Sequence, residues 1–354
     1  MDLLVLTRVY PPYGSGGLAH HLMYLYEEIA SRGHEVTILA GKSKGFRSDT
    51  EINRSGHRNI TVQRVEFGYR EGYYVLYPLA LRWYLRNFDT SRYDAVLTHT
   101  QIPFEFDDPV IAKNHDCSRQ SRQFVREGMA AWMKFGESAL NLMRPFVDRG
   151  AIRAANHLIY NSKLTMDGWN DLYDIRTPES VVHNGVDVSI FYPRESEREG
   201  GYILFVSGSS DGSKDKLRQS GILDFARESS YDVCVAGRKS VDSPHVTALG
   251  RFSHEELAEV YSAAAVTIHP SQYEPFGNVV TESLACGTPV VTNDTVGASE
   301  ILDQSCGVIT DDLHEGVETA MKMRSEDCIS TAQEHTWGSV AEETLSIVKK
   351  CVEA

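Results

Sequence analysis

Two successive α/β units with doubly wound parallel sheets are the fold this chain predicts, and three observations carry the expectation. Short apolar, β-rich runs alternate with helix-length periodic stretches along most of the chain. The alternation restarts after Pro193 and a charged stretch, Arg194 to Gly201, which has the character of a linker. A length of 354 residues, 42% hydrophobic and 24% charged, suits two ordinary soluble domains.

The first unit opens with a strand at Leu3 to Thr7 and a helix over Leu18 to Arg32. Strand-like runs follow at Glu35 to Ala40, Ala95 to Thr98, Val110 to Lys113, His157 to Tyr160 and Ser180 to His183. In the second unit the strands are Ile203 to Val206, Asp232 to Ala236, Ala265 to His269, Pro289 to Thr292 and Val308-Ile309. Helices at Glu255 to Ser262 and Asn278 to Ala285 lie between them. Sheets of this kind bind ligands at the carboxyl ends of their strands, so two units in tandem predict a cleft between two sheets.

Charge and cysteine content exclude several classes. The formal net charge is -14, and it is unevenly placed: residues 1–192 hold 22 Lys+Arg against 22 Asp+Glu, residues 193–354 hold 13 against 27. An acidic second half argues against a nucleic-acid partner. The six cysteines (117, 234, 286, 306, 328, 351) contain no C-x-x-C pair, which fits reduced thiols rather than a disulfide framework or a zinc site. The apolar run before Thr7 and Arg8 is too short for a signal peptide, and Tyr73 to Leu81 is too short to span a bilayer, so a cytoplasmic location is expected.

Gly14, Gly16 and Ala19 satisfy the G-x-G-x-x-G/A dinucleotide fingerprint, but its context does not. Six residues, including Pro11-Pro12, separate Thr7 from Gly14, and the second strand ends Leu39-Ala40-Gly41-Lys42 with no acid for a ribose. Small residues at 14 to 17 still allow backbone N–H groups to approach a phosphate where the next helix begins.

More specific is Tyr273-Glu274-Pro275-Phe276-Gly277-Asn278-Val279-Val280-Thr281-Glu282. Glu274 belongs to the loop after the strand ending near His269. Glu282 lies about one turn inside the helix that begins near Asn278. The N–H groups of Phe276 to Val279 then point at the same pocket as Glu274.

On these residues the chain resembles the family-4 retaining glycosyltransferases of the GT-B fold, whose signature is E-x7-E. Further pieces occur in family order: the Pro-Pro-x-x-Gly-Gly-type loop, Arg32-Gly33-His34-Glu35-Val36, Lys113-Asn114-His115-Asp116, Ile159-Tyr160-Asn161-Ser162, Val182-His183-Asn184-Gly185-Val186-Asp187, Leu249-Gly250-Arg251-Phe252 and Gly297-Ala298-Ser299-Glu300-Ile301. The resemblance implies two Rossmann-like domains. The first, on the acceptor side, is 1–193 together with a C-terminal helix at about 337–354. The second, 194–336, binds the nucleotide-sugar.

The resemblance also implies roles. Glu282 holds the donor's ribose hydroxyls, and Glu274 faces the transferred sugar, where a carboxylate can stabilise an oxocarbenium-like state. Phe276, Gly277, Asn278 and Val279 offer backbone donors to sugar and phosphate. Gly16 and Gly17 meet the diphosphate, and His115 lies beside the sugar, with His99 as a rival candidate. No Asp-x-Asp motif is present, which fits a metal-independent site without a cofactor, the nucleotide-diphosphate-sugar being a substrate. One departure stands out: Ser209 occupies the place of the family's arginine. Lys214 is the match to its lysine, with Lys216, Arg218 or Arg238 as substitutes.

For the acceptor, Ser118 to Arg153 carries seven basic residues against three acids, interleaved with Phe124, Trp132, Met133, Phe135 and Phe146. Such a basic amphipathic stretch suits a lipid-linked or cell-envelope glycan acceptor and a peripheral contact with the inner face of a membrane; the alternative is a core face with a solvated basic side. The expected activity is hexosyl transfer from a nucleotide sugar. A GT-B nucleotide-sugar epimerase and a catalytically silent nucleotide-sugar-binding module are the alternatives.

Overall fold

The computed structural model describes residues 1–12, 17–43, 57–68, 73–117, 142–194, 201–207 and 220–354. They form two compact units: Met1–Asn161, Thr165–Val182 and Trp337–Ala354 in the first, Ser162–Leu164 and His183–Thr336 in the second.

In the first unit, strands β1 (Asp2–Thr7), β2 (Glu35–Ser43), β3 (Ile60–Gly68), β4 (Ala95–Thr98), β5 (Val110–Asn114), β6 (His157–Tyr160) and β7 (Glu179–Val181) make one sheet in the order β3-β2-β1-β4-β5-β6-β7. Every pairing is parallel. Leu3 to Leu6 of β1 are wholly buried, as a central strand covered on both faces requires. The helices are α1 (Gly17–Ser31), α2 (Tyr73–Tyr84), α3 (Arg144–Ala154) and α4 (Lys163–Asn170), whose first residues join the second unit. Helix α1 stops at Gly33, whose φ of 86° is open to glycine, and the Gly33 N–H donates to the carbonyl of Ala30 at 3.0 Å.

The second unit carries β8 (Ile203–Val206), β9 (Val233–Ala236), β10 (Val246–Gly250), β11 (Val266–Ile268), β12 (Val290–Thr292) and β13 (Gly307–Ile309), in the order β10-β9-β8-β11-β12-β13 and again all parallel. Its helices are α5 (Ile222–Glu228), α6 (His254–Ala263), α7 (Asn278–Ala285), α8 (Leu313–Ala320) and α9 (Ser325–Glu334). Ser253 and Glu256 close a capping box at the start of α6.

The chain then returns to the first unit as α10 (Trp337–Val352). Trp337, Val340, Ala341, Thr344, Leu345 and Val348 are its buried face, at helical spacing. All but Thr344 join Leu22, Leu25, Tyr26 and Ile29 of α1 in one core.

The expected boundary at 193/194 needs correction, because the units divide at Val182/His183. The segment after β7 is bonded into the second unit: Asn184 to Asn278, the Val186 N–H to the His335 carbonyl, and the Arg194 N–H to the Ser262 hydroxyl. Charge composition marks a linker by its solvation, whereas these bonds decide which unit holds it. Among the described residues no helix is long and apolar enough to cross a membrane.

Each sheet reverses its winding once, between β1 and β4 and between β8 and β11. A crevice at the carboxyl ends is expected at such points. The residues that follow there are Arg8 and His99 in the first unit, Ser207 and His269 in the second.

Candidate functional site

After β11 the second unit runs through His269 into the loop carrying Glu274 and then into α7. Gly277 caps α7 at φ 96°. A Cβ there would lie 3.0 Å from Val296 Cγ1, 3.3 Å from His269 Nε2 and 3.4 Å from Glu274 Cγ, so both backbone and space call for glycine.

The loop is held from three directions. The Glu274 N–H donates to the Thr295 carbonyl at 2.9 Å, and the Glu274 and Phe276 carbonyls accept from the N–H groups of Gly297 (2.9 Å) and Ala298 (2.7 Å). The Ser162 hydroxyl donates to the Pro275 carbonyl at 2.6 Å. Phe276 is buried, which pins the turn, while Glu274 stays half-buried. Thus the Gly297-Ala298-Ser299-Glu300 segment is the brace of the loop.

Glu300 braces it a second time. Its two carboxylate oxygens accept the N–H groups of Lys163 and Leu164, each at 2.9 Å, and Nε2 of His183 lies 3.1 Å away. Burial works against ionisation of this carboxyl, but the His183 and backbone bonds outweigh it and hold the group below the usual carboxylate range. His183 packs its ring against Phe276, with centroids 5.9 Å apart.

Glu282 lies one turn into α7, as expected, and is half-buried. Its Oε2 accepts the Tyr261 hydroxyl at 2.9 Å. Burial pushes its carboxyl up, with His254 and Tyr261 pulling the other way. Asn278, on the first turn of α7, accepts through Oδ1 from Asn184 Nδ2 at 3.1 Å. The first-turn N–H groups of Asn278 and Val279 have no partner within the helix, and they make the turn a place for negative charge.

Of the cations considered for a diphosphate, Arg238 is described: its Nε donates to the Ser207 hydroxyl at 3.1 Å, at the carboxyl end of β8. Lys214, Lys216, Arg218 and Ser209 lie outside the described residues, as does Gly16, while Gly17 is the first residue of α1.

In the first unit the two rival histidines are hydrogen-bonded to each other. His99 follows β4 and His115 follows β5, and His99 Nδ1 is 2.8 Å from His115 Nε2. Tyr26 of α1 reaches His99 Nε2 at 2.5 Å. His21 sets its ring edge-on to His115 at 4.6 Å, and Trp337 is edge-on to His21 at 5.0 Å. Burial and the nearby Lys113 depress His99 to about 3, and burial, His99, Lys113 and Arg8 hold His115 well below its ordinary value, so both rings are neutral. Lys113 is itself buried, without a partner for Nζ among the described residues, and burial lowers it to about 7. The loop after β5 is anchored by bonds to the His115 carbonyl from Asn161 (3.0 Å) and to the Asp116 carbonyl from Trp169 (3.1 Å).

Sequence reasoning missed Tyr26, Tyr261 and His254. A signal existed for Tyr26, a polar atom on the apolar face of α1, but nothing in it named His99 as the partner.

Residues 15–190 match the model of Glycosyltransferase Family 4, and residues 242–334 that of Glycosyl transferases group 1. A glycogen synthase of Mycobacterium tuberculosis is 24% identical over 352 residues, covering 87% of this chain and 82% of the relative. A GDP-mannose-dependent alpha-(1-6)-phosphatidylinositol dimannoside mannosyltransferase of the same species is 25% identical, covering 91% and 87%. Among solved structures, sucrose-phosphate synthase from Thermosynechococcus elongatus superposes with TM-score 0.76 at 18% identity over 99% of both chains. Anabaena HepE in complex with UDP-glucose does so with 0.68 at 15%, over 99% of this chain and 100% of its own. With two parallel-sheet units, the E-x7-E turn in the second and family matches to both, the chain belongs to the family-4 glycosyltransferases of the GT-B fold.

Proposed function

We propose that this glycosyltransferase moves a hexosyl group from a nucleotide-diphosphate sugar to an acceptor hydroxyl with retention of configuration and without a metal. The observation that carries the proposal is the turn between Glu274 and Glu282, braced by Gly297, Ala298 and Ser162. In the reaction the bond from the sugar's anomeric carbon to the diphosphate oxygen breaks as the acceptor oxygen bonds to that carbon. The acceptor's proton passes to the leaving diphosphate. Glu274 stabilises the positive charge on the ring, and Glu282 accepts the ribose hydroxyls. The N–H groups opening α7 and the Arg238 guanidinium take up negative charge on the leaving group. His115 donates to a substrate oxygen as a neutral ring.

Several relatives carry a nucleotide in their names: GDP-mannose for the mannosyltransferase, UDP-glucose for the HepE complex and ADP for the complex of the starch synthase IV catalytic domain of Arabidopsis thaliana. A thermal-shift screen of UDP, GDP, ADP, CDP and dTDP and their sugars against wild type and Glu282→Ala tests the donor. One base should stabilise wild type by about 2.7 kcal/mol at a hundredfold excess over Kd, and Glu282→Ala should lose the effect. Turnover in EDTA with an α-linked product from an α-linked donor tests the rest. Binding without turnover in the presence of acceptor would make the chain a binding module, and a changed donor sugar would make it an epimerase.

A lipid-linked acceptor at a membrane surface is favoured by a specific feature. Leu142, Met143 and Phe146 at the start of α3 are exposed, at 74%, 50% and 66%, beside the basic Arg149 and Arg153; Leu79 and Trp83 of α2 are exposed as well. The remainder of the basic stretch, 118–141, lies outside the described residues. Flotation with vesicles containing anionic lipid should retain wild type and release Leu142→Asp/Phe146→Asp. Equal flotation of both would remove the membrane reading.

A further inference from the structure

We propose that Tyr26 and His99 are positioning residues that hold His115 in a single tautomer, with the proton on Nδ1. The inference rests on the reading of His115 as a substrate-contacting residue. It follows from counting protons along a buried chain of three groups.

Tyr26 is wholly buried, and His99 Nε2 is the only polar partner of its hydroxyl among the described residues. A buried hydroxyl without another acceptor has to donate there. Burial also drives the phenol far above its ordinary value, so the proton stays on Tyr26. His99 Nε2 therefore accepts, and the single proton of this neutral ring is on Nδ1. That proton is given to His115 Nε2 at 2.8 Å. His115 Nε2 is an acceptor in turn, which leaves its own proton on Nδ1, the nitrogen with no partner among the described residues.

Packing keeps the planes in register. His21 is edge-on to His115, Trp337 is edge-on to His21, and Tyr26 is edge-on to His99 with centroids 5.5 Å apart. The chain thus ends in an N–H offered by a half-buried, uncharged ring. Such a group donates to a hydroxyl or phosphoryl oxygen and cannot take a proton at that nitrogen. Without Tyr26 the alternative chain, with every proton moved one place along, becomes equally available, and Nδ1 would become an acceptor.

His21, His99 and His115 have ligand atoms within 4.8 Å of one another, a spacing a metal ion could use. Both ring nitrogens of His99 are engaged, Nε2 by the Tyr26 hydroxyl and Nδ1 by His115, and the charge of Arg8 acts on His115, which together favour the proton chain instead.

Long-range 1H–15N correlation spectra of histidine-15N-labelled protein decide the question, with His115 assigned by His115→Gln. Wild type should give His115 an NH-type Nδ1 and a pyridine-type Nε2. Tyr26→Phe should mix the two tautomers and lower kcat by about tenfold or more, with donor KM changed less than about twofold. His99→Asn, which keeps an amide donor near the Nδ1 position, should retain the tautomer and most of the rate, whereas His99→Leu should lose both. This pair carries the test if Tyr26→Phe fails to fold.

An Nε2–H tautomer in wild type, an unchanged tautomer in His99→Leu, or stoichiometric Zn2+ binding that shifts all three histidines would overturn the proposal. A mixed tautomer without a fall in kcat would overturn the positioning role. Full turnover in His115→Gln with the expected tautomer would instead overturn the reading of His115 on which that role rests.

Discussion

The Tyr261 hydroxyl donates to Oε2 of Glu282 at 2.9 Å, joining α6 to α7 inside the second unit. The bond fixes the carboxylate's rotamer and occupies one of its oxygens. In Tyr261→Phe a bond to a charged group is lost, about 1.5–3 kcal/mol. Donor Kd should therefore rise by about tenfold, measured by calorimetry with the nucleotide that the screen selects. Unchanged affinity would show that the Tyr261 bond does not set the Glu282 carboxylate for donor binding.

Gly277→Ala should lower stability and donor binding together. A left-handed conformation costs a non-glycine residue about 1–2 kcal/mol, and the new methyl meets Val296 at 3.0 Å. A fall of several degrees in Tm with a loss of the nucleotide-induced shift is expected. A drop in Tm with donor binding intact would separate the turn from the site.

Arg238→Ala should weaken binding of a nucleoside diphosphate and leave the corresponding nucleoside unaffected. The reason is the position of Arg238 at the end of β8, where its Nε holds the Ser207 hydroxyl. A surface-screened contact to phosphate would raise Kd by a few-fold and a desolvated one by more than tenfold, so the ratio also reports how dry the site is.

Acid should destabilise the first unit through its histidines. His99 titrates near 3 in the folded protein, against an ordinary value of 6.5. Between those values the unfolded chain binds a proton that the native state does not, so stability rises with pH across the window and is lost as pH falls from about 6.5 towards 3. The slope is about 1.4 kcal/mol per pH unit for each such group. His99→Asn should flatten denaturation midpoints across pH 4–6 relative to wild type; parallel curves would contradict a neutral, buried His99.

Much of the fold was legible in sequence because central parallel strands are apolar without interruption. Leu3 to Leu6, Ile203 to Val206 and Val290 to Thr292 could be read directly. Strand β3, Ile60–Gly68, was not, since an edge strand is half-solvated and its charged Arg64 and Glu66 break the apolar run. Likewise β10, Val246–Gly250, has only Val246 buried. The E-x7-E turn was legible because its glycine, its carboxylates and the helix that follows are contiguous. Its braces were not, for Ser162 and Glu300 are distant in sequence from the residues they hold.

By itself the sequence determined the two α/β units and the Glu274–Glu282 turn, since each depends on residues adjacent along the chain or on hydrophobic period, whereas the candidacy of His115 came from the resemblance to the family. Only the tertiary structure decided that Tyr26, His99 and His115 form one hydrogen-bonded chain, that Glu300 accepts the N–H groups of Lys163 and Leu164, and that the units divide at 182/183 rather than 193/194. The physical reason is common to all three. Periodicity states which face of an element is buried, whereas a hydrogen bond requires two particular atoms to meet within about 3 Å. That meeting is set by sheet order and helix packing, which bring together residues 73 and 137 positions apart.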